Sequence, residues 1–288
     1  MAAPASLNRF ATPEDLVSQL KSLPPSPRVV LKLQQLAASD SSDVGDLVAV
    51  IRIERALAAR IVRISNGPLY SLGSRCESIE ESVHRLGFRE VRRIATVVAG
   101  SEALAQPLPS YGIAPAALWH QAVACAVAAE YLARLASEDE HQAYTAGLMH
   151  GVGMVVINTW VQSISPGTVL GYHNAATEWT EAERDLLGYD LADAGAALLR
   201  TWDFPAAVVE AVRCQYAPQV ASNHRRLAAV LNCARWLRTV VCQHETPSLP
   251  APEKLALLTL RLSEQQLRDC LPEVLAEINS ARQVLNAA

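Results

Sequence analysis

Along this chain apolar positions recur three and four residues apart, and breaks rich in proline, glycine or small polar residues separate the runs. That period puts a buried stripe on each helix, since 3.6 residues complete a turn. No segment sustains the two-residue alternation of a half-buried strand. The first helix opens at Thr12-Pro13-Glu14-Asp15: Thr12 caps, Pro13 suits the first turn, and the acids face the positive helix end. After the rigid break SLPPSP, a second helix carries Val29, Leu31, Leu33, Leu36 and Ala37. Val44 to Ile64 reads as helix, in one piece or in two broken near Arg52 to Arg55, and Asn66-Gly67-Pro68 stops it. Ser78-Ile79-Glu80-Glu81 is a capping box whose helix ends at Gly87. The next buried stripe runs through Val91, Ile94, Ala95 and Val98.

Gln106 to Pro115 is the best internal boundary. Ala117 to Ala136 is apolar nearly all round, which predicts a central buried helix. His141 to His150 follows, and Gly151 and Gly153 interrupt before Met154 to Trp160. Ser163 to Thr177 is irregular. Thr180-Glu181-Ala182-Glu183 reads as a second capping box, with its helix reaching Leu187 and stopping at Gly188. Helices are then expected over Leu191 to Trp202, from Pro205 to about Tyr216, and over His224 to Cys242. Thr246 to Pro252 is a linker, and two closing helices follow, the second capped by Ser263 with Gln266 three residues on. The expected fold class is all-α and multi-helical.

Composition narrows the function. Half of the 288 residues are hydrophobic and 19% are charged, enough for a sizeable core. A net charge of −4 with scattered Lys and Arg leaves no electrostatic footprint for nucleic acid. Arg89, Arg92 and Arg93 are expected on a solvated face. The six cysteines form no CxxC pair, which argues for buried thiols rather than a zinc knuckle or disulfide framework. The N-terminus lacks a signal-peptide pattern, and apolar runs such as Val152 to Val161 are too short to span a bilayer. A soluble, cytoplasmic protein without membrane or nucleic-acid partners is therefore expected.

His120 and His150 lie about thirty residues apart on successive expected helices, compatible with two metal ligands in a helical phosphohydrolase. On spacing alone the signal is weak, because a lone histidine on an apolar helix is more often a satisfied core residue. The ordered blocks LPPSPRVVLKLQQL, IRIERALAARIVRISNGPLYSL, SIEESVHRLGFREVRRIATVVA, LWHQAVACAVAAEYLA, AYTAGLMHGVGMVVI and ERDLLGYDLADAGAALLRTWDFPAAVVEAVRCQY make the reading specific. From about Leu23 to Leu237 the chain resembles an HDOD domain, a relative of the HD and HD-GYP phosphohydrolases that is generally regarded as non-catalytic.

The resemblance implies ligand positions, and most are lost. His120 and His150 match histidines, but Gly151 stands where the HD pair has aspartate, Leu191 where many relatives have histidine, and Gln215 and Tyr216 where paired histidines are usual. Asp190 and Asp193 read as a cap and a first-turn acid rather than substitute ligands. No metal, cofactor or catalytic residue is expected, and His120 and His150 are expected to hydrogen-bond between helices.

The resemblance further implies a regulatory scaffold in a bacterial signalling pathway that acts through protein partners and possible self-association. The alternatives are an HD-type metal-dependent phosphohydrolase and a sensor binding a nucleotide in the vestigial pocket. Asn66, Tyr70 and Trp179 are candidate partner contacts, whereas Trp119 and Trp202 serve equally well as core. The expected organisation is an HDOD-like domain over 14–245, with lobes 14–112 and 113–245, followed by a helical extension over 246–288.

Overall fold

The computed structural model describes residues 12–20, 28–37, 43–52, 55–67, 70, 75–170, 179–242 and 252–286. In chain order its helices are α1 (Pro13–Gln19), α2 (Arg28–Ala37), α3 (Val44–Arg52), α4 (Arg55–Ser65), α5 (Ile79–Leu86) and α6 (Phe88–Leu104). Then come α7 (Ala117–Ala136), α8 (Glu140–Met149), α9 (Val152–Ile164), α10 (Trp179–Leu187) and α11 (Leu191–Thr201). The chain closes with α12 (Ala206–Arg213), α13 (Arg225–Cys242), α14 (Lys254–Leu260), α15 (Glu264–Asp269) and α16 (Leu271–Asn286). Short 3₁₀ turns cover Pro109–Tyr111 and Pro218–Val220. The described residues contain no named strand, so the fold is all-α, and none of their helices is long and apolar enough to cross a membrane. The anticipated linker at Thr246 to Pro252 lies outside the described residues except for Pro252.

The chain forms two compact units: residues 1–25 with 103–269, and residues 26–102 with 270–288. In the first unit α7 is buried nearly all round, as its composition requires, and α8 and α13 pack on it. The α7–α8 crossing is close because Gly147 has no side chain: a Cβ there would lie 2.6 Å from Ala126 Cα. Gly153 likewise lets α9 meet the start of α11. These two crossings position the His150–Gly151 corner between α8 and α9.

Arg226 ties the edge of this unit. Its guanidinium pairs with Glu138 and donates to the carbonyls of Ala136 at 2.7 Å and Thr259 at 2.9 Å. Both carbonyls belong to final helical turns, where acceptors lack helical donors. Because the arginine side chain is 42% exposed, solvent screens the ion pair. Arg226→Ala should still cost about 1–2 kcal/mol in urea unfolding, chiefly through the two carbonyls. Arg226→Lys should recover little, since an ammonium lacks the planar fork. An alanine variant as stable as wild type would contradict this.

In the second unit, Ser78 caps α5 by accepting from Glu81 N at 3.1 Å, and Gly87 ends the helix at φ +83°, as expected. Asn66 serves its own loop: Nδ2 donates to the carbonyls of Val62 (2.9 Å) and Cys76 (2.8 Å), and Oδ1 accepts from Cys76 N (2.8 Å). Two expectations are corrected. Arg92 is buried rather than solvated, because it lies beside Val91 on the inward side of α6. Thr180 is a buried residue inside α10 rather than its cap, and Glu183 bonds elsewhere. The five described free thiols (Cys76, Cys125, Cys214, Cys233 and Cys270) are buried, as anticipated.

Candidate functional site

The α8–α9 corner presents His150 to α13. His150 is buried at the C-terminal end of α8, and its Nδ1 lies 2.7 Å from the Gly147 carbonyl. A carbonyl only accepts, so Nδ1 carries the proton and Nε2 keeps a lone pair. Facing that lone pair is Arg238 Nη1 at 3.3 Å. The same Nη1 donates to Gln121 Oε1 of α7 at 3.1 Å, and Nη2 donates to Thr239 Oγ1 at 3.1 Å. Burial first, then the charges of Arg238 and Arg235, hold the imidazole pKa well below its usual value. His150 is therefore a neutral acceptor.

Apart from His120, the other candidate positions supply no imidazole or carboxylate, though the buried Gln215 Oε1 has no hydrogen-bond partner among the described residues. Gln215 is fully buried, and its Nε2 donates to the His150 carbonyl at 3.0 Å. Its own carbonyl accepts from Asn232 Nδ2 at 2.9 Å and Arg235 Nη1 at 3.2 Å. Tyr216 lies under Arg235, with the guanidinium carbon 3.8 Å from the ring centroid, a cation–π contact. Leu191 begins α11, buried, with its N–H bonded to Glu183 Oε2 at 2.6 Å. Gly151 leaves room for Leu118, whose Cδ1 would lie 2.8 Å from an added Cβ. His120 is exposed in the first turn of α7 and, among the described residues, makes no side-chain hydrogen bond. The bond between helices therefore falls to His150.

A bound divalent cation needs several convergent nitrogen or oxygen donors. Here the single imidazole lone pair already faces a guanidinium, and no group of three or more His, Cys, Asp or Glu among the described residues could hold a metal ion. This donor set does not fit a metal.

Sequence reasoning missed Glu183, Arg235 and Arg238. Glu183 is buried and accepts from the Tyr111 hydroxyl and Leu191 N, both at 2.6 Å. Burial pushes its carboxyl up to about 7 against the pull of those two bonds. The legible signal was spacing: Thr180, Glu183 and Leu187 share one buried helical face. Asp190 behaves as expected, capping α11 by accepting from Ala192 N (2.8 Å) and Asp193 N (3.2 Å) and pairing with Arg184 at 2.5 Å. Tyr70 donates to Glu90 at 2.9 Å, Trp119 and Trp202 are buried, and the Trp179 side chain lies outside the described residues.

The described residues form an all-α domain in which the half-buried Arg238 guanidinium meets His150 at the α8–α9 corner. Residues 23–218 match the HDOD domain, and the chain belongs to the HDOD family. It is 25% identical over 267 residues to an uncharacterized protein of Treponema pallidum (strain Nichols), covering 88% of this chain and 49% of the relative, so it spans about half of that protein. Among solved structures, an HDOD domain protein of Geobacter sulfurreducens with unknown function superposes with TM-score 0.72 at 20% identity, covering 96% of this chain and 97% of that one. A protein of Marinobacter aquaeolei VT8, provisionally named for signal transduction, gives TM-score 0.71 at 24% identity over 95% of this chain and 60% of its own. A provisionally named phosphohydrolase of Shewanella amazonensis SB2B gives 0.65 at 21% over 90% and 93%. These likenesses establish the shared fold.

Proposed function

We propose that this HDOD protein is a non-enzymatic regulatory module of a bacterial signalling pathway, acting in the cytoplasm through protein partners. The observation that carries the reading is Gln215. Where the resemblance places a metal-binding histidine, its amide joins the end of α12 to the His150 carbonyl at 3.0 Å. Held this way, Gln215 ties the end of α12 to the α8–α9 corner, and its amide oxygen, buried without a hydrogen-bond partner among the described residues, is a neutral carbonyl donor where an imidazole is usual. The Marinobacter neighbour's provisional assignment to signal transduction points the same way. Tyr70 remains a candidate partner contact, whereas the bonds of Asn66 give it a local task.

The test is a phosphodiesterase assay on cyclic dinucleotides and a chromogenic phosphodiester, with Mn²⁺ or Fe²⁺ supplied. Turnover by wild type and by a His150→Ala control should not exceed the protein-free background. Metal-dependent turnover lost in that variant would overturn the reading and favour the phosphohydrolase alternative.

A further inference from the structure

His150 Nε2 is the atom through which this site would hold a metal, and its surroundings are built for a different cation. The proton on Nδ1, fixed by the Gly147 carbonyl at 2.7 Å, makes Nε2 an acceptor. Arg238 Nη1 lies against it at 3.3 Å. The guanidinium is held on its other sides by Gln121 Oε1 and Thr239 Oγ1, each at 3.1 Å. Its partners thus come from α7, the end of α8 and α13 itself. One turn earlier on α13, Arg235 adds a second guanidinium, held by the Gln215 carbonyl and stacked on Tyr216.

We infer that Arg238 stands in the place of the metal, as a built-in cation that joins α7, α8 and α13 and closes the site to divalent ions. The inference deepens the non-enzymatic reading of this site and rests on it. Arginine suits the task because it keeps its charge under burial and presents several donors in one plane. Position 151 reinforces the closure. Gly151 offers no side-chain oxygen to a metal.

Cobalt(II) titration of the full chain, read by its visible ligand-field bands, tests this in four forms. These are wild type, Gly151→Asp, Gly151→Asp with Arg238→Gln, and Gly151→Asp with Arg238→Lys. At position 151 the atoms nearest an added Cβ all belong to the Leu118 side chain, with Cδ1 at 2.8 Å, so the change asks that leucine tip to shift. The Arg238→Gln double variant should bind Co²⁺ on the order of tenfold or more tighter than Gly151→Asp alone, because a fixed charge has been removed. The Arg238→Lys form, which keeps the charge, should stay closed. Equal binding by the three variants would overturn the inference, as would stoichiometric Co²⁺ on wild type that His150→Ala abolishes.

Nitrogen-15 spectra of histidine-labelled wild type give a reading that needs no variant to fold. His150 should be the Nδ1–H tautomer, and an Nε2–H tautomer would overturn the inference. The two proposals fail separately. Turnover independent of His150 would sink the non-enzymatic reading alone, whereas cobalt held at His150 would sink the role of Arg238.

Discussion

Gly153→Ala should lower the stability of the 103–269 unit by about 3 kcal/mol or more, and the variant is expected largely in the insoluble fraction. A Cβ on Gly153 would lie 1.8 Å from the Leu191 carbonyl oxygen and 2.7 Å from both Leu191 C and Gly195 N. All three atoms are backbone, so no rotamer change relieves the overlap. Nor can α11 retreat freely, because Glu183 holds Leu191 N and Asp190 caps Ala192 and Asp193. Gly151→Ala is the matched control two residues away. The atoms nearest its Cβ all belong to the Leu118 side chain, with Cδ1 closest at 2.8 Å, and a leucine tip can turn. In urea unfolding the control should fall well short of Gly153→Ala. Equal costs at the two positions would refute the close α9–α11 crossing.

Glu183→Gln should stabilise the protein at pH 8 and have little effect near pH 4. The folded carboxyl is raised from 4.5 to about 7, so between those values the folded chain holds a proton that the unfolded chain has released. Stability from this group is therefore complete below pH 4.5 and is lost as pH rises towards 7. The loss at pH 8 is about 3 kcal/mol. Glutamine keeps both hydrogen bonds. Its oxygen can accept from Leu191 N, while its amide donates to a Tyr111 oxygen whose own hydrogen has turned away.

His150 acts in the opposite sense. Its depressed pKa means that stability is lost as pH falls below 6.5, where the unfolded chain takes up a proton that the buried ring refuses. Because His150 is common to both proteins, the difference between wild type and Glu183→Gln isolates the carboxyl. A variant less stable than wild type at pH 8 would show that the carboxylate is needed in its charged form.

The helices were legible in the sequence because their signals are local. Ser78 and Gly87 bound α5, Asp190 caps α11, and the unbroken apolar composition of 117–136 required a central α7. The HDOD resemblance was legible for the same reason, as ordered blocks of linear sequence that the match over 23–218 overlaps. The residues that miss the ligand pattern, Gly151, Leu191, Gln215 and Tyr216, were readable position by position.

What stands in their place was decided by tertiary structure. Arg238 lies 88 residues from His150, and nothing local marks one arginine of α13 as the cation that meets that ring. Glu183 looked like a capping acid until burial and the distant Tyr111 hydroxyl gave it another task. Local rules of propensity and capping set where each helix begins and ends. Charge and hydrogen-bond partnership in a buried site depend on which helix faces cross, and at Gly147 and Gly153 the absence of a single Cβ sets that crossing.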